Sequence, residues 1–451
     1  MRRCHNLGTF VPNEGRYRQL PRRSVWLAAM VTSALVLATC SVGDSEQSDP
    51  TSDPVSVEAS RIPTGVLITT GPNCSDPTLA LFDSPEDVYL SGGPQPSEPI
   101  GLPDGEYHVQ VTAPDGTVLG SSSDGEVVIV TDGRVKDCPR LVELVSAPST
   151  GAAGFDDTTD SSGRYRVNMS LDPNFTSSPS ISTSFNLRSS GATAGQLDVV
   201  KFYDTNANGV ADSGEVFMDG WLLRVIDDVD GFATEVFTPW SSAAVPGNYS
   251  VWELIPDQSN WRTTTPSPLA VSLITDEEAG VAFGNVCLGA GGAETTEFWT
   301  DRSGAALVTP VQLRQLAQRN LVTASGQPFD PTTYLELRNW MQQASGANRA
   351  NALSVSLATM VLNVSTGKVD RDALVHAPFT LTSNPAGFIT ISALMDEADA
   401  ALAASGDTRV GSAQRTYQDS LENPLRRANS NLDFVQSAPC PFSFGQPDEA
   451  D

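Results

Sequence analysis

The stretch Lys201-Phe202-Tyr203-Asp204-Thr205-Asn206-Ala207-Asn208-Gly209-Val210-Ala211-Asp212-Ser213-Gly214-Glu215 decides how this chain reads. With Leu197-Asp198-Val199-Val200 ahead of it, its opening residues alternate as a half-buried strand does. Asp204 to Glu215 then fit, at every specified position, the loop that wraps a calcium ion. Calcium takes hard oxygen ligands, and this spacing brings Asp204, Asn206 and Asn208 to one side of a tight turn at Gly209. The Val210 carbonyl, Asp212 (often through water) and a bidentate Glu215 complete the shell. An EF-hand needs a helix on each side of its loop, whereas here one strand enters and another leaves. The expectation is calcium on a β-scaffold; the alternative is an Asn- and Asp-rich turn that binds nothing.

Around the loop, residues 191–287 hold four of the seven Trp: Trp221, Trp240, Trp252 and Trp261. Leu197 to Tyr203, Trp221 to Ile226 and Asn248 to Leu254 alternate, which makes a β-sandwich the economical reading. Upstream, residues 58–190 carry short strands at Gly65 to Thr69, Thr78 to Phe82, Glu106 to Val111 and Glu126 to Val130, broken by turns such as Pro114-Asp115-Gly116. Within them, 148–190 is rich in Ser, Thr and Gly with one alternating strand, Arg164 to Met169. It either completes the first sandwich or links it to the next. Beyond Leu288 the apolar spacing turns helical: Leu313, Leu316 and Leu321; Leu353, Leu357, Met360 and Val364; Ile391, Leu394, Met395, Ala398 and Leu402. Asp330-Pro331 reads as an N-cap and first helical position. The expected fold class is multidomain β plus α: an N-terminal β-sandwich, a second β-sandwich with the calcium loop, and an all-α C-terminal domain over 288–451.

Lys201 through Glu215, Gly220-Trp221, Gly247-Asn248-Tyr249-Ser250-Val251-Trp252-Glu253 and Phe283-Gly284-Asn285 together resemble the SdrD B-like modules of bacterial surface proteins, over about 196–286. The resemblance implies a prealbumin-type β-sandwich, stiffened by calcium, that serves as a stalk or presentation module in adhesins and other exported proteins. It implies no enzyme. The related collagen-adhesin B-type sandwiches join a first-strand Lys to a last-strand Asn in an isopeptide bond, assisted by a buried acid on a middle strand. Lys201, Glu253 and Asn285 occupy plausible positions for this, and the chain has only two other Lys, Lys136 and Lys368. Alternation leaves open which face each residue takes, so an exposed strand Lys and a turn Asn is the other reading. Leu288-Gly289, Phe298-Trp299, Phe329-Asp330-Pro331, Leu353 to Gly367 and the closing Pro439-Cys440-Pro441-Phe442-Ser443-Phe444 resemble a helical domain that often follows such modules. Glu297 and Pro424 depart from its pattern, and Pro424 should kink or split the last helix. Asp87 to Gln95 and Gly154 to Thr158 resemble the β-region that precedes such modules.

At the N-terminus, Arg16, Arg18, Arg22 and Arg23 precede an uncharged stretch from Ser24 to Thr39 with the length and flanks of a signal-peptide core, so 1–39 reads as a signal peptide. Leu37-Ala38-Thr39-Cys40 is close to a lipobox, with Thr39 a poor fit. Lipidation of Cys40 and ordinary cleavage both stay open. Residues 40–57 are Ser, Asp, Pro, Glu and Gln with almost nothing apolar, an acidic disordered tether. Four further cysteines, Cys74, Cys138, Cys287 and Cys440, suit an oxidising compartment. They allow three pairings; Cys74 with Cys138 and Cys287 with Cys440 would each bracket one compact segment.

The chain has 27 Lys plus Arg against 54 Asp plus Glu, a net charge of −27 that argues against a nucleic-acid partner. Enzyme readings lack parts. Outside the signal segment only His108 and His376 remain, in different expected domains, and no metalloprotease, nucleophile-elbow or phosphate-loop motif occurs. Ser365-Thr366-Gly367-Lys368 matches a Ser-x-x-Lys motif without its partners. The pairs Asp156-Asp157 and Asp227-Asp228 suit solvated turns better than glycoside hydrolysis. The expected function is an exported, cell-surface, structural or adhesive protein that binds calcium, meets an unknown surface or matrix ligand, and touches a membrane only through Cys40. The alternative is a carbohydrate-binding or hydrolytic exported protein with Trp240 and Trp261 as a sugar platform. Those rings side by side on an open face would favour it; burial would favour the stalk.

Overall fold

The computed structural model describes residues 65–74, 81–95, 101–122, 125–176, 180–229 and 231–444. The signal segment, Cys40 and the tether lie outside the described residues, as do Thr78 to Ala80 of one expected strand. Among the described residues the first β-region holds a sheet in the order Leu81–Phe82, Ile181–Leu187, Arg164–Ser170, Gly105–Thr112, Val128–Thr131 and Arg134–Val135, with Val118–Ser121 also on Gly105–Thr112. Val66–Thr70 pairs with Tyr89–Gly93 in a second, two-stranded sheet. Alternation decides the faces: Val109 and Val111 point inward with Tyr165, Val167, Met169 and Phe185, and all are buried. The two strands after residue 160 therefore complete this unit rather than link it. A Cys74–Cys138 disulfide ties it.

The central module is a sandwich of two sheets. In one, Gly195–Tyr203 runs parallel to the last strand, Glu278–Gly289, with Val216–Phe217, Trp240–Ala244 and Trp261–Thr263 beside them. In the other the order is Ala233–Phe237, Leu222–Asp227, Gly247–Glu253 and Leu269–Leu273, all antiparallel. Leu197, Val199, Trp221, Leu223, Val251, Phe283 and Val286 fill the space between. Arg164 of the first β-region meets Asp227 of the module at 2.9 Å, each side chain 11% exposed.

After Gly289 the helices follow the expected periodicity, with Arg349–Ser365 buried along most of its length and Ile391–Ala404 and Arg415–Asn429 packed on it. Three expectations change. The helix near Asp330-Pro331 is Tyr334–Gln342 and starts after Thr333, because Thr333 and Glu336 form a reciprocal capping box that satisfies the end N–H groups better than Asp330 can. Arg415–Asn429 is one helix through Pro424, so the expected split does not occur; the buried proline packs with Leu421 and Leu425 on that helix's inner side, offsetting the lost hydrogen bond. The C-terminal part is also not all-α. Leu374–His376, Phe388–Thr390 and Phe434–Val435 are strands, and Leu288 pairs with Val435, so they prolong the module's own sheet. The boundary drawn at 287 thus falls inside a strand, and Phe388 lies in the module's core.

Candidate cross-link and calcium sites

The first strand buries every second residue: Leu197, Val199, Lys201 and Tyr203 are each at most 1% exposed. A lysine in that series has its ammonium inside the sandwich. Tyr249, Val251 and Glu253 form the inward series of a strand in the opposite sheet, and Phe283, Asn285 and Cys287 that of the last strand. Tyr203 pairs with Asn285 in the parallel ladder, so Lys201 reaches forward along its own strand towards the amide. Lys201 Nζ donates to Glu253 Oε1 at 2.6 Å, and Asn285 Nδ2 donates to the same oxygen at 2.5 Å. Both nitrogens converge on one carboxylate oxygen, with the Lys201 and Glu253 side chains fully inaccessible.

Burial governs the protonation of this cluster. Desolvation pushes the Lys201 amine down to about 8, against the pull of Glu253 and Asp204. Desolvation also raises the Glu253 carboxyl, against Lys201 and Asn285. Each group is driven towards its neutral form despite the other, as expected where two charges lose more hydration than their attraction returns. Glu253 Oε2 and Asn285 Oδ1 are buried without a hydrogen-bond partner. A proton on Glu253 is the donor that two acceptors lack, and a half-turn of the Asn285 amide presents its carbonyl oxygen to it. Trp221 roofs the cluster, its ring centroid 4.6 Å from Lys201 Nζ.

Three residues beyond Lys201 the loop expected to hold calcium begins. Asp204 is fully buried and accepts from the Asn208 and Gly209 N–H groups at 3.0 and 2.6 Å. Asn206 and Asn208 turn the backbone the same way and direct their amides to Asp212 at 2.7 and 2.8 Å. Glu215 closes the loop, one oxygen on Thr205 N at 2.8 Å and the other on Asp212 N at 3.0 Å. Gly209 sits at φ +78°, and a Cβ there would lie 3.0 Å from the Thr264 carbonyl. Among the described residues no three Asp, Glu, His or Cys side chains gather into a cage by themselves. The loop reaches a calcium complement only by adding Asn206, Asn208 and the Val210 carbonyl to Asp204, Asp212 and Glu215, a set of hard oxygens that fits the ion.

Sequence reasoning missed two neighbours of these sites. Asn384, from the helical part, donates to the Ala207 carbonyl of the loop at 2.6 Å. The C-terminal tail, held by a Cys287–Cys440 disulfide, lays Phe442 and Phe444 on Trp221 at centroid distances of 4.8 and 5.5 Å. The closing Pro-Phe-Ser-Phe pattern was the available signal for the second; nothing local marks the first. Trp261 is 2% exposed and packs on Trp221, while Trp240 is half-buried, so these two rings form no open platform; among the described residues the exposed tryptophan is Trp252.

No family model matches the chain, and no curated protein does. Solved structures similar to it include BcpA, the major pilin subunit of Bacillus cereus, at 11% identity over 49% of this chain and 70% of that one, TM-score 0.15. GBS52, a minor pilin of Streptococcus agalactiae, matches at 12% identity over 49% of this chain and 94% of that one, TM-score 0.17. The shaft pilin spaA of Lactobacillus rhamnosus GG matches at 9% over 49% and 96%, TM-score 0.14. At these scores the likeness transfers no residue role and no activity.

Proposed function

We propose that this chain is an exported bacterial surface component with a structural or adhesive role, whose central sandwich is locked by an amide between Lys201 and Asn285 and stiffened by calcium at 204–215. The observation that carries it is the convergence of Lys201, Glu253 and Asn285, from the first, a middle and the last strand, in a desolvated core. The neutral Lys201 amine attacks Asn285 Cγ. Protonated Glu253 polarises the carbonyl and then relays protons to the departing nitrogen, so one C–N bond forms, one breaks, and ammonia leaves. No oxidant or cofactor is required. Because the first and last strands are parallel neighbours, the bond clamps the strands by which tension enters and leaves the module.

Intact-mass measurement of the full chain tests this. We expect the sequence mass less one ammonia, after allowance for two hydrogens per disulfide, and the full mass in Lys201→Ala or Glu253→Ala. A wild-type mass retaining the ammonia would refute the lock. Calcium, at Asp204, Asn206, Asn208, Val210, Asp212 and Glu215, supplies a divalent charge that organises the loop when bound. This chain's part is to hold those oxygens on a turn anchored three residues from the lysine.

A further inference from the structure

Cys287 lies on the last strand two residues after Asn285, and its disulfide to Cys440 spans a separation of 153 residues. The tail returns over the module on a defined path. Gln436 N donates to the Cys287 carbonyl at 3.0 Å, and the Tyr203 hydroxyl donates to the Gln436 carbonyl at 2.6 Å. Past the disulfide, Ser443 N donates to Gln258 Oε1 at 2.8 Å, and Asp257 N donates to the Ser443 carbonyl at 3.1 Å. Between these anchors Phe442 packs on Trp221 and also on Trp261, at 5.8 Å, and Phe444 adds a second ring against Trp221. Trp221 lies in turn over Lys201 Nζ. The order from solvent inward is tail phenylalanines, Trp221, lysine.

We infer that the disulfide-pinned tail is the lid of the cross-linking site: Phe442 and Phe444 seat Trp221 over Lys201, and the Lys201–Asn285 amide forms only after Cys440 has joined Cys287. This rests on the amide proposed above and adds its timing. The amide reaction needs a dry lysine and a dry carboxyl, and the aromatic roof that excludes water is assembled from residues just past Cys440, 153 positions downstream of Cys287. A disulfide closes in an oxidising compartment and not in a reducing one. The lock is thereby confined to a chain that has been synthesised past Phe444 and has met an oxidant, and a chain that stops short of Cys440 or stays reduced keeps its first and last strands separable. Phe442, Phe444 and Cys440 are positioning residues, since none touches the reacting atoms.

The test follows the intact mass of the full chain over time after cell-free synthesis, with and without a thiol oxidant, for wild type, Cys440→Ser and Phe442→Ala/Phe444→Ala. Trypsin resistance of the sandwich is read in parallel. The expected result is prompt ammonia loss by oxidised wild type, and loss at least about tenfold slower in reduced wild type and both variants while the sandwich stays resistant. Adding oxidant to the reduced wild type should restore the prompt rate. Equal rates in all samples would overturn the lid and leave the amide standing; a wild type that never loses ammonia would overturn both. If the double variant does not resist trypsin, reduced and re-oxidised wild type decide the matter alone.

Discussion

Lys201 is a charged residue in an inward strand position, and its chemistry follows from that placement. The reactive state of the pair holds one proton in total, as neutral amine plus carboxylic acid. Below the raised value of Glu253 a second proton binds and Lys201 stays an ammonium, so attack stops. Above the lysine's value of about 8 the single proton is lost, and the acid that polarises Asn285 is gone. Full chain refolded from inclusion bodies under oxidising conditions should therefore lose ammonia at a rate that is bell-shaped in pH, with its alkaline limb centred near 8. A rate that climbs steadily into alkali would mean that amine deprotonation alone controls the step. The series Leu197, Val199, Lys201, Tyr203 shows that these four share a face, but alternation leaves open whether that face is the core, and burial in the folded sandwich decides it. What alternation does not carry is partnership: Glu253 is 52 residues away and Asn285 is 32 further, on strands whose order the sequence does not state.

For the loop, twelve residues set most of the answer, because Asx turns and a left-handed glycine are local devices. If the loop holds calcium as extracellular modules do, its affinity should be about 10⁻⁴ to 10⁻³ M. Ten millimolar calcium should then stabilise the module by up to about 2.7 kcal/mol, seen as a rise in melting temperature over chelator. Asp204→Ala should abolish that rise. Gly209→Ala should weaken it and cost about 1–2 kcal/mol on its own, since φ is +78° and the new Cβ presses on the Thr264 carbonyl. Identical melting in chelator and excess calcium would remove the ion from the loop. The helices show the same locality: Thr333 and Glu336 out-compete Asp330 as a start through side chains three residues apart, whereas the continuity of the helix through Pro424 depends on a packed face that no local pattern records.

On the whole-molecule scale, the module is joined to what precedes and follows it. Arg164–Asp227 ties it to the first β-region, and the shared sheet, Asn384, Phe388 and the tail tie it to the helices. If Cys40 carries a diacylglyceryl group, two chains at about 0.8 kcal/mol per buried methylene hold the protein to a membrane. Wild type should then partition into detergent, and Cys40→Ala should appear in the medium. Equal distribution of the two would assign free secretion instead.

The sequence by itself determined the short-range features: alternating strands, the calcium-type loop, the helical spacing after residue 288, and four cysteines suited to oxidation. These rest on contacts between residues a few positions apart, where composition and period are sufficient. Only the tertiary structure decided which strands pair in parallel, that Glu253 faces Lys201 across the sandwich, and that the C-terminal tail closes over Trp221. Those contacts join residues tens to hundreds of positions apart, and their selection depends on how the sheets and the helical layer bury their apolar faces in separate but adjoining cores, a property of the assembled chain that no local pattern records.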